Sequence, residues 1–238
     1  MTQELRLGDV SVDLVLKDIK NLHLSVHPPT GRVRIAAPST MHPDAIRVFA
    51  ISKLGWIRRQ QAKLRQQERE SEREFIERES HYVWGRRYLL TLVEMDSAPA
   101  VELAHNRMTL RIRPGSGAPF RREVVEGWYR SLIREALVPL IPKWERILEV
   151  RVARVAVQRM RTRWGSCTPE RQSLRLNTDL AKKPRECLEY ILVHEMAHLI
   201  EPTHNARFVS LMDRLLPNWR LRRQLLNRLP VRHEEWTY

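Results

Sequence analysis

The stretch VHEMAHLIEPTH, residues 193 to 204, constrains this chain more than any other. It sets His194, Glu195, His198 and His204 inside an otherwise apolar run that includes Tyr190, Ile191, Leu192, Val193, Ala197, Leu199 and Ile200. Apolar residues at that density predict a largely buried helix. A buried His-Glu-His cluster is costly unless its polar atoms find hydrogen bonds or a metal ion. On a helix His194 and His198 stand at i and i+4, on one face and one turn apart, so two imidazoles reach a single ion. Glu195 lies too far round the helix to share that ion and is placed to reach a water beside it. Pro202 forces the chain out of the helix, and the turn that follows can carry His204 back as a third imidazole. Three protein ligands with one open position are the pattern of a catalytic zinc site rather than a closed structural one. A bare H-E-x-x-H also arises by chance on helix surfaces; the apolar flanks and the histidine after the break argue against that here.

The rest of the chain is read by its period. Residues 5 to 37 alternate apolar and polar side chains and predict strands, with a hairpin turn at PPTGR. Residues 43 to 79 predict one long helix, carried first by Ile46, Phe49, Ala50, Leu54 and Ile57. Its continuation, RRQQAKLRQQERESEREFIERES, is polar all round and reads as a solvated arm laced with charge pairs, or as a nucleic-acid contact. HYVWGRRYLLTLVE and PAVELAHNRMTLRIRP predict a small antiparallel sheet with a turn at HN. PGSGAP, at 114 to 119, is the clearest linker and places a domain boundary near residue 117, dividing 1–117 from 118–238. REVVEGWYRSLIREALVPLIPKWERILE predicts an amphipathic helix that Pro139 and Pro142 kink or interrupt.

Beyond it, VARVAVQRMRTRWGSC and SLRLNTDL predict strands joined by a turn at TPERQ. ECLEYILVHEMAHLI predicts a helix with Pro184 in its first turn and Pro202 at its end. Asn205 is placed to cap the next helix, ARFVSLMDRLL, and a basic helix, RLRRQLLNRL, follows. No internal repeat stands out.

Charge and cysteine content limit the setting. Lys and Arg number 42 against 28 Asp and Glu, a formal net charge of +14 with a pI near 10.6. Such a field attracts polyanions, but it speaks to steering and not to activity. Arg207, Arg214, Arg220, Arg222, Arg223, Arg228 and Arg232, with Arg151, Arg154, Arg159, Arg161 and Arg163, form a basic face suited to phosphate contacts or simply to solvent. No apolar run is long enough for a membrane span. The first residues lack the pattern of a secretory signal, and two cysteines are too few for a disulfide framework, which points to the cytoplasm.

Together, RTRWGSC, LRLN and YILVHEMAHLIEPTHNARF resemble the YgjP-type (SprT-like) zinc metallopeptidase domain, a family related to gluzincin and minimal-zincin proteases. The likeness is strong over about residues 155 to 220. It is looser over the N-terminal strands and long helix, where Trp56 and Ile57 match a W-I pair. The resemblance implies an α+β fold: a minimal-zincin catalytic domain, with a small antiparallel sheet, an active-site helix and a backing helix, preceded by a β-rich region with a long helix. It implies one zinc per chain on His194, His198 and His204, with Glu195 as the catalytic glutamate, and a protein or peptide substrate. Glu201 stands where the better-known metzincins carry glycine, so the route to His204 must differ from theirs.

In that family's fold a strand edges the cleft, and an extended substrate can pair with such an edge. Trp164, Gly165 and Ser166 then read as a cleft-lining turn, or alternatively as a bulge with a core tryptophan. Cys167 reads as an inert thiol before a zinc ligand. Asn177 and Asp179 are placed either to hydrogen-bond a ligand imidazole or to serve turns and caps. Tyr190, Arg163 and Arg207 are candidates to stabilise an oxyanion. A zinc ion would make water reactive at neutral pH, with Glu195 taking its proton and returning it to the leaving amine. Two other readings compete. A metal-dependent nucleoside triphosphate phosphohydrolase would suit a basic cleft but has no Gly-rich phosphate loop. A nucleic-acid-binding adaptor with a structural metal fits poorly with three ligands and a neighbouring glutamate. Oligomeric state is not written in the sequence.

Overall fold

A computed structural model of the chain describes residues 2–27, 31–66, 73–160 and 163–229. Among the described residues are small sheets and six α-helices, an α+β protein. The chain divides into two compact units, one up to residue 71 and one spanning Glu72–Leu229.

In the first unit, β1 (Thr2–Leu7) and β2 (Val10–Lys17) form a hairpin around Gly8, whose φ of 64° suits the turn. A second hairpin joins β3 (His23–His27) and β4 (Arg32–Pro38). The inner strands β2 and β4 run parallel, giving the order β1-β2-β4-β3. Val10, Val12 and Leu14 alternate onto the same core as Val33, Ile35 and Ala37. Ile46 and Ala50 of α1 (Pro43–Ser52) and Ile57 of α2 (Leu54–Gln66) complete that core. The helix predicted over 43 to 79 is thus broken at Lys53, whose backbone N–H bonds back to Phe49 and Ala50. Part of the polar arm, residues 67–72, lies outside the described residues. Residues 73 to 79 are not helical. There the Glu79 carboxylate accepts the backbone N–H groups of Glu74 and Phe75, and the Phe75 side chain is buried.

The second unit opens with the hairpins β5 (Ser80–Val83) with β6 (Arg86–Glu94), and β7 (Ala100–Ala104) with β8 (Arg107–Ile112). Their order is β5-β6-β8-β7, and the middle pair is parallel rather than antiparallel. Alternation with period two reads the same for either strand direction, so the pattern could not distinguish them. Order and strand senses repeat those of the first unit: two hairpins, inner strands parallel, then a helix. The chain therefore carries one four-strand arrangement twice, a repeat its residues do not display.

Helix α3 (Ala118–Leu148) runs through Pro139 and Pro142 without interruption. Both prolines lie on the exposed face, as do Glu135 and Val138, whose carbonyls they leave unpaired; water can satisfy these. The opposite stripe, Val125, Tyr129, Ile133, Leu137, Trp144 and Leu148, is buried in one core with Leu90, Met108 and Leu110 of the sheet. That shared core is why the division falls at residue 71 and not at the PGSGAP linker.

Strands β9 (Arg154–Gln158), β10 (Gly165–Thr168) and β11 (Ser173–Asn177) form a third sheet, ordered β10-β11-β9. The expected strand through VARVAVQRMRTRWGSC is therefore two strands on opposite sides of β11. Helices α4 (Arg185–Ala197), α5 (Ala206–Leu215) and α6 (Trp219–Arg228) follow. The tip of the β5–β6 hairpin steadies the approach to α4: Trp84 N–H donates to Ala181 O at 2.8 Å and Gly85 N–H to Lys182 O at 3.1 Å. Among the described residues no helix is long and apolar enough to cross a membrane.

Candidate metal centre

Helix α4 ends at Ala197, earlier than Pro202, and His198 is its C-cap. A tight turn through Leu199, Ile200 and Glu201 bonds back to Met196 and Ala197. His194 and His198 keep their one-turn spacing, and the early break leaves length for the chain to bring His204 round. The Nε2 atom of His204 lies 3.0 Å from that of His194 and 3.1 Å from that of His198. A tetrahedral ion with Zn–N bonds of about 2.0–2.1 Å needs donor atoms about 3.3 Å apart, so the three nitrogens stand near the spacing that one ion requires. His198 Nδ1 lies 3.0 Å from Glu201 O, which fixes this edge as the N–H and turns the Nε2 lone pair to the centre. Among the described residues none is a hydrogen-bond partner of the buried His194 Nδ1. Burial, then the neighbouring His198 and His204, holds the His194 pKa down at about 3. A neutral imidazole is the form that binds a metal. By residue type, geometry and protonation the site fits a divalent cation.

Glu195 is 7% exposed, and burial pushes its pKa up to about 7 against the pull of Arg163. Gly165 closes over it: a β-carbon there would lie 2.7 Å from both Cγ and Oε1 of Glu195. So the backbone at Gly165 is approached closely, and the Glu195 carboxylate is what approaches. Within its sheet β10 is an edge strand, paired on one side to β11.

The other expected site residues are less uniform. Trp164 packs partly buried against the core with Lys183 Nζ 5.9 Å from its ring centre, and its carbonyl accepts Asn177 N–H. Ser166 sits half-buried on β10 opposite Arg175. Arg163 and Arg207 are exposed. Tyr190 is buried, edge-on to His194 at 5.9 Å and stacked on Trp219 at 6.3 Å. Asn177 meets no imidazole: its amide donates to Met160 O and Arg163 O at 2.8 Å each, and its Oδ1 accepts Asp179 N–H. It ties down the lead-in to β10. Asp179 pairs with Lys182 at 3.1 Å. Burial raises the Cys167 thiol to about 11, which suits an inert group.

Sequence reading passed over Phe208. Its ring lies 5.0 Å from the His194 ring, 4.7 Å from His198 and 4.8 Å from His204. The signal was present in HNAR-F: Asn205 caps α5 by accepting Phe208 N–H at 3.0 Å, which fixes the aromatic one turn past the third histidine.

Three converging imidazoles beside a buried carboxylate could hold one divalent metal ion. The YgjP-like metallopeptidase domain family matches residues 20–229, and the chain belongs to that family. It is accordingly a metal-dependent peptidase, whose substrates are proteins or peptides. No curated protein matches the chain. Among solved structures, the metallopeptidase zymogen jannalysin of Methanocaldococcus jannaschii is similar at 18% identity, over 40% of this chain and 93% of that one, with a TM-score of 0.29.

Proposed function

We propose that the chain is a zinc peptidase of minimal-zincin arrangement, with His194, His198 and His204 as the ligands and Glu195 as general base. The observation that carries this is the approach of three Nε2 atoms to 3.0 and 3.1 Å beside a buried glutamate. Zinc is favoured because three imidazoles and an open position suit its tetrahedral preference, and when bound it supplies Lewis acidity and a water reactive at neutral pH. A cation on the histidines also lowers the Glu195 pKa from about 7, leaving the carboxylate ionised and ready to accept a proton. Glu195 then takes the proton of the attacking water and delivers it to the leaving amine. The outer edge of β10 receives the substrate as an extended strand, which sets the scissile bond beside Glu195. Both cysteines are free, in keeping with a reducing compartment.

The basic face contributes steering. Arg220 is held by Asp213 and Arg222 by Glu189, so Arg207, Arg214, Arg223 and Arg228 are the exposed arginines left around α5 and α6. They favour substrates carried on or near nucleic acid. Arg161 and Arg232 lie outside the described residues.

Elemental analysis of wild type and of the three His→Ala variants, with casein and nucleoside triphosphates assayed side by side in wild type and Glu195→Gln, tests this. One zinc per chain is expected, lost with any histidine. Casein cleavage should fall at least about a hundredfold in Glu195→Gln with zinc retained. Unchanged cleavage in that variant, or a loss confined to pyrophosphate release, overturns the proposal.

A further inference from the structure

We infer that Phe208 is a positioning residue for the metal: one rigid phenyl ring sets the orientation of all three ligand imidazoles. This rests on the reading of His194, His198 and His204 as ligands. The ring is stacked on His198 with 25° between planes, and meets His194 and His204 edge-on at 71° and 75°. A histidine ligand keeps two rotatable side-chain bonds, and its Nε2 lone pair reaches the ion only over a narrow range of ring orientation. Contact on one face limits one ring; contact from a shared wall limits three at once and couples them. Phe208 suits that task because it is 2% exposed, so the wall is itself fixed. A phenyl ring also has no donor or lone pair to compete for Nε2. Its electron-rich face further favours an imidazole whose nitrogen bears a cation.

The surrounding hydrogen bonds hold the wall to the ligands. Phe208 N–H donates to Asn205 Oδ1 at 3.0 Å, and Asn205 directly follows His204. Asn205 Nδ2 donates to Thr203 Oγ1 at 3.1 Å, and that hydroxyl donates to Glu201 Oε1 at 3.2 Å. The carbonyl of Glu201 accepts from His198 Nδ1. The segment from His198 to Phe208 is thus closed on itself, beginning on the second ligand and ending on the ring against all three.

The test compares wild type, Phe208→Leu, Phe208→Met and Leu211→Ala. Leu211 is buried on the same helix and makes none of these ring contacts, so its truncation reports general loosening of α5. Urea unfolding of the metal-free proteins measures stability, competition against a chromophoric chelator measures Zn2+ affinity, and the visible bands of the Co2+ forms report ligand geometry. Zn2+ affinity should fall roughly tenfold or more in both Phe208 variants, with altered Co2+ bands. Leu211→Ala should lose comparable stability yet keep wild-type affinity and bands. Wild-type affinity and Co2+ bands in the Phe208 variants overturn the inference, as does equal weakening in Leu211→Ala. Failure of wild type itself to bind stoichiometric Zn2+ overturns the metal site beneath it.

Discussion

Gly165→Ala isolates the contact between β10 and the Glu195 carboxylate. The added β-carbon would stand 2.7 Å from Cγ and Oε1 of Glu195 and 3.0 Å from Cδ. Non-bonded carbons settle at about 3.5–4.0 Å, so the carboxylate must retreat by roughly 1 Å. Gly165 is not among the positive-φ glycines, which leaves the cost steric and not conformational. Overpacking of this kind costs about 1–3 kcal/mol. Stiffening of the unfolded chain by alanine returns about 0.4–1 kcal/mol, leaving a net loss of roughly 1–2 kcal/mol. In a Glu195→Ala background the space is open, and the same substitution becomes neutral or stabilising by up to about 1 kcal/mol. The coupling, about 1–3 kcal/mol, is read from a double-mutant cycle of urea unfolding on metal-free protein. Under the proposed mechanism, Glu195 displaced by about 1 Å in the metal-loaded protein loses roughly a hundredfold in kcat with metal content unchanged. Equal destabilisation in both backgrounds, or full activity in Gly165→Ala, refutes the packing argument.

Three further substitutions probe what surrounds this contact. Burial raises the Glu195 pKa from 4.5 to about 7, so the folded chain holds its proton more tightly than the unfolded one. The Glu195 contribution to metal-free stability therefore falls as pH rises through that interval, by about 3 kcal/mol at most, while His194, held neutral well below its ordinary pKa, contributes a rise over much of the same range. The Glu195 part is read from the difference in urea midpoint between wild type and Glu195→Gln, which should shift against wild type as pH rises from 4.5 to about 7; a difference independent of pH refutes it. Burial also pushes the Glu189 carboxyl up, but donors from Lys143, Arg222 and Trp144 outweigh it and hold the pKa below the usual range. Its contribution is present at neutral pH and lost as acid protonates it. Glu189→Gln should be about 1–3 kcal/mol less stable at pH 7, with the gap closing in acid; a gap independent of pH contradicts this. Asn177→Ala should cost about 2–3 kcal/mol and raise KM more than it lowers kcat, because it frees the lead-in to β10 and leaves Glu195 in place. Unchanged Michaelis parameters count against that role.

The centre was legible because its chemistry is local. His194 and His198 need only one helical turn, Pro202 demands an exit, and Asn205 announces the next helix. What escaped depends on partners distant in sequence. That Asn177 serves Met160 and Arg163 is fixed by the pairing of β11 between β9 and β10. The prolines of α3 are tolerated because they fall on the water side of a helix whose other stripe is buried, and the local residues could not weigh that burial. The predicted helix is broken at Lys53, and residues 73 to 79 do not continue it, because Phe75 has a core to enter and Glu79 offers its carboxylate to the backbone. Phe208 was read as one apolar residue of a helix, since nothing in its spacing shows which rings it meets.

The repeated four-strand arrangement also explains how α4 is held. In the second copy the turn between the first two strands is Trp84-Gly85, both at positive φ, 49° and 80°. A bulky residue in that region is strained by about 1–3 kcal/mol. The strain persists because the tip has work on both sides. The two N–H groups bond the carbonyls of Ala181 and Lys182, just ahead of α4, and the Arg185 guanidinium lies 4.4 Å over the Trp84 ring. A β-carbon on Gly85 would come within 2.9 Å of Pro184 Cγ, so the turn and the helix entry fit only with glycine there. The helix is thus fixed at its start by the sheet, at its middle by Glu189 to α3 and α6, and at its end by Glu201 and Phe208. Glu195 and the first two histidines lie between the last two of these supports. Anchoring on both sides of the reactive stretch gives the rigidity that a site built from short side chains needs before substrate arrives.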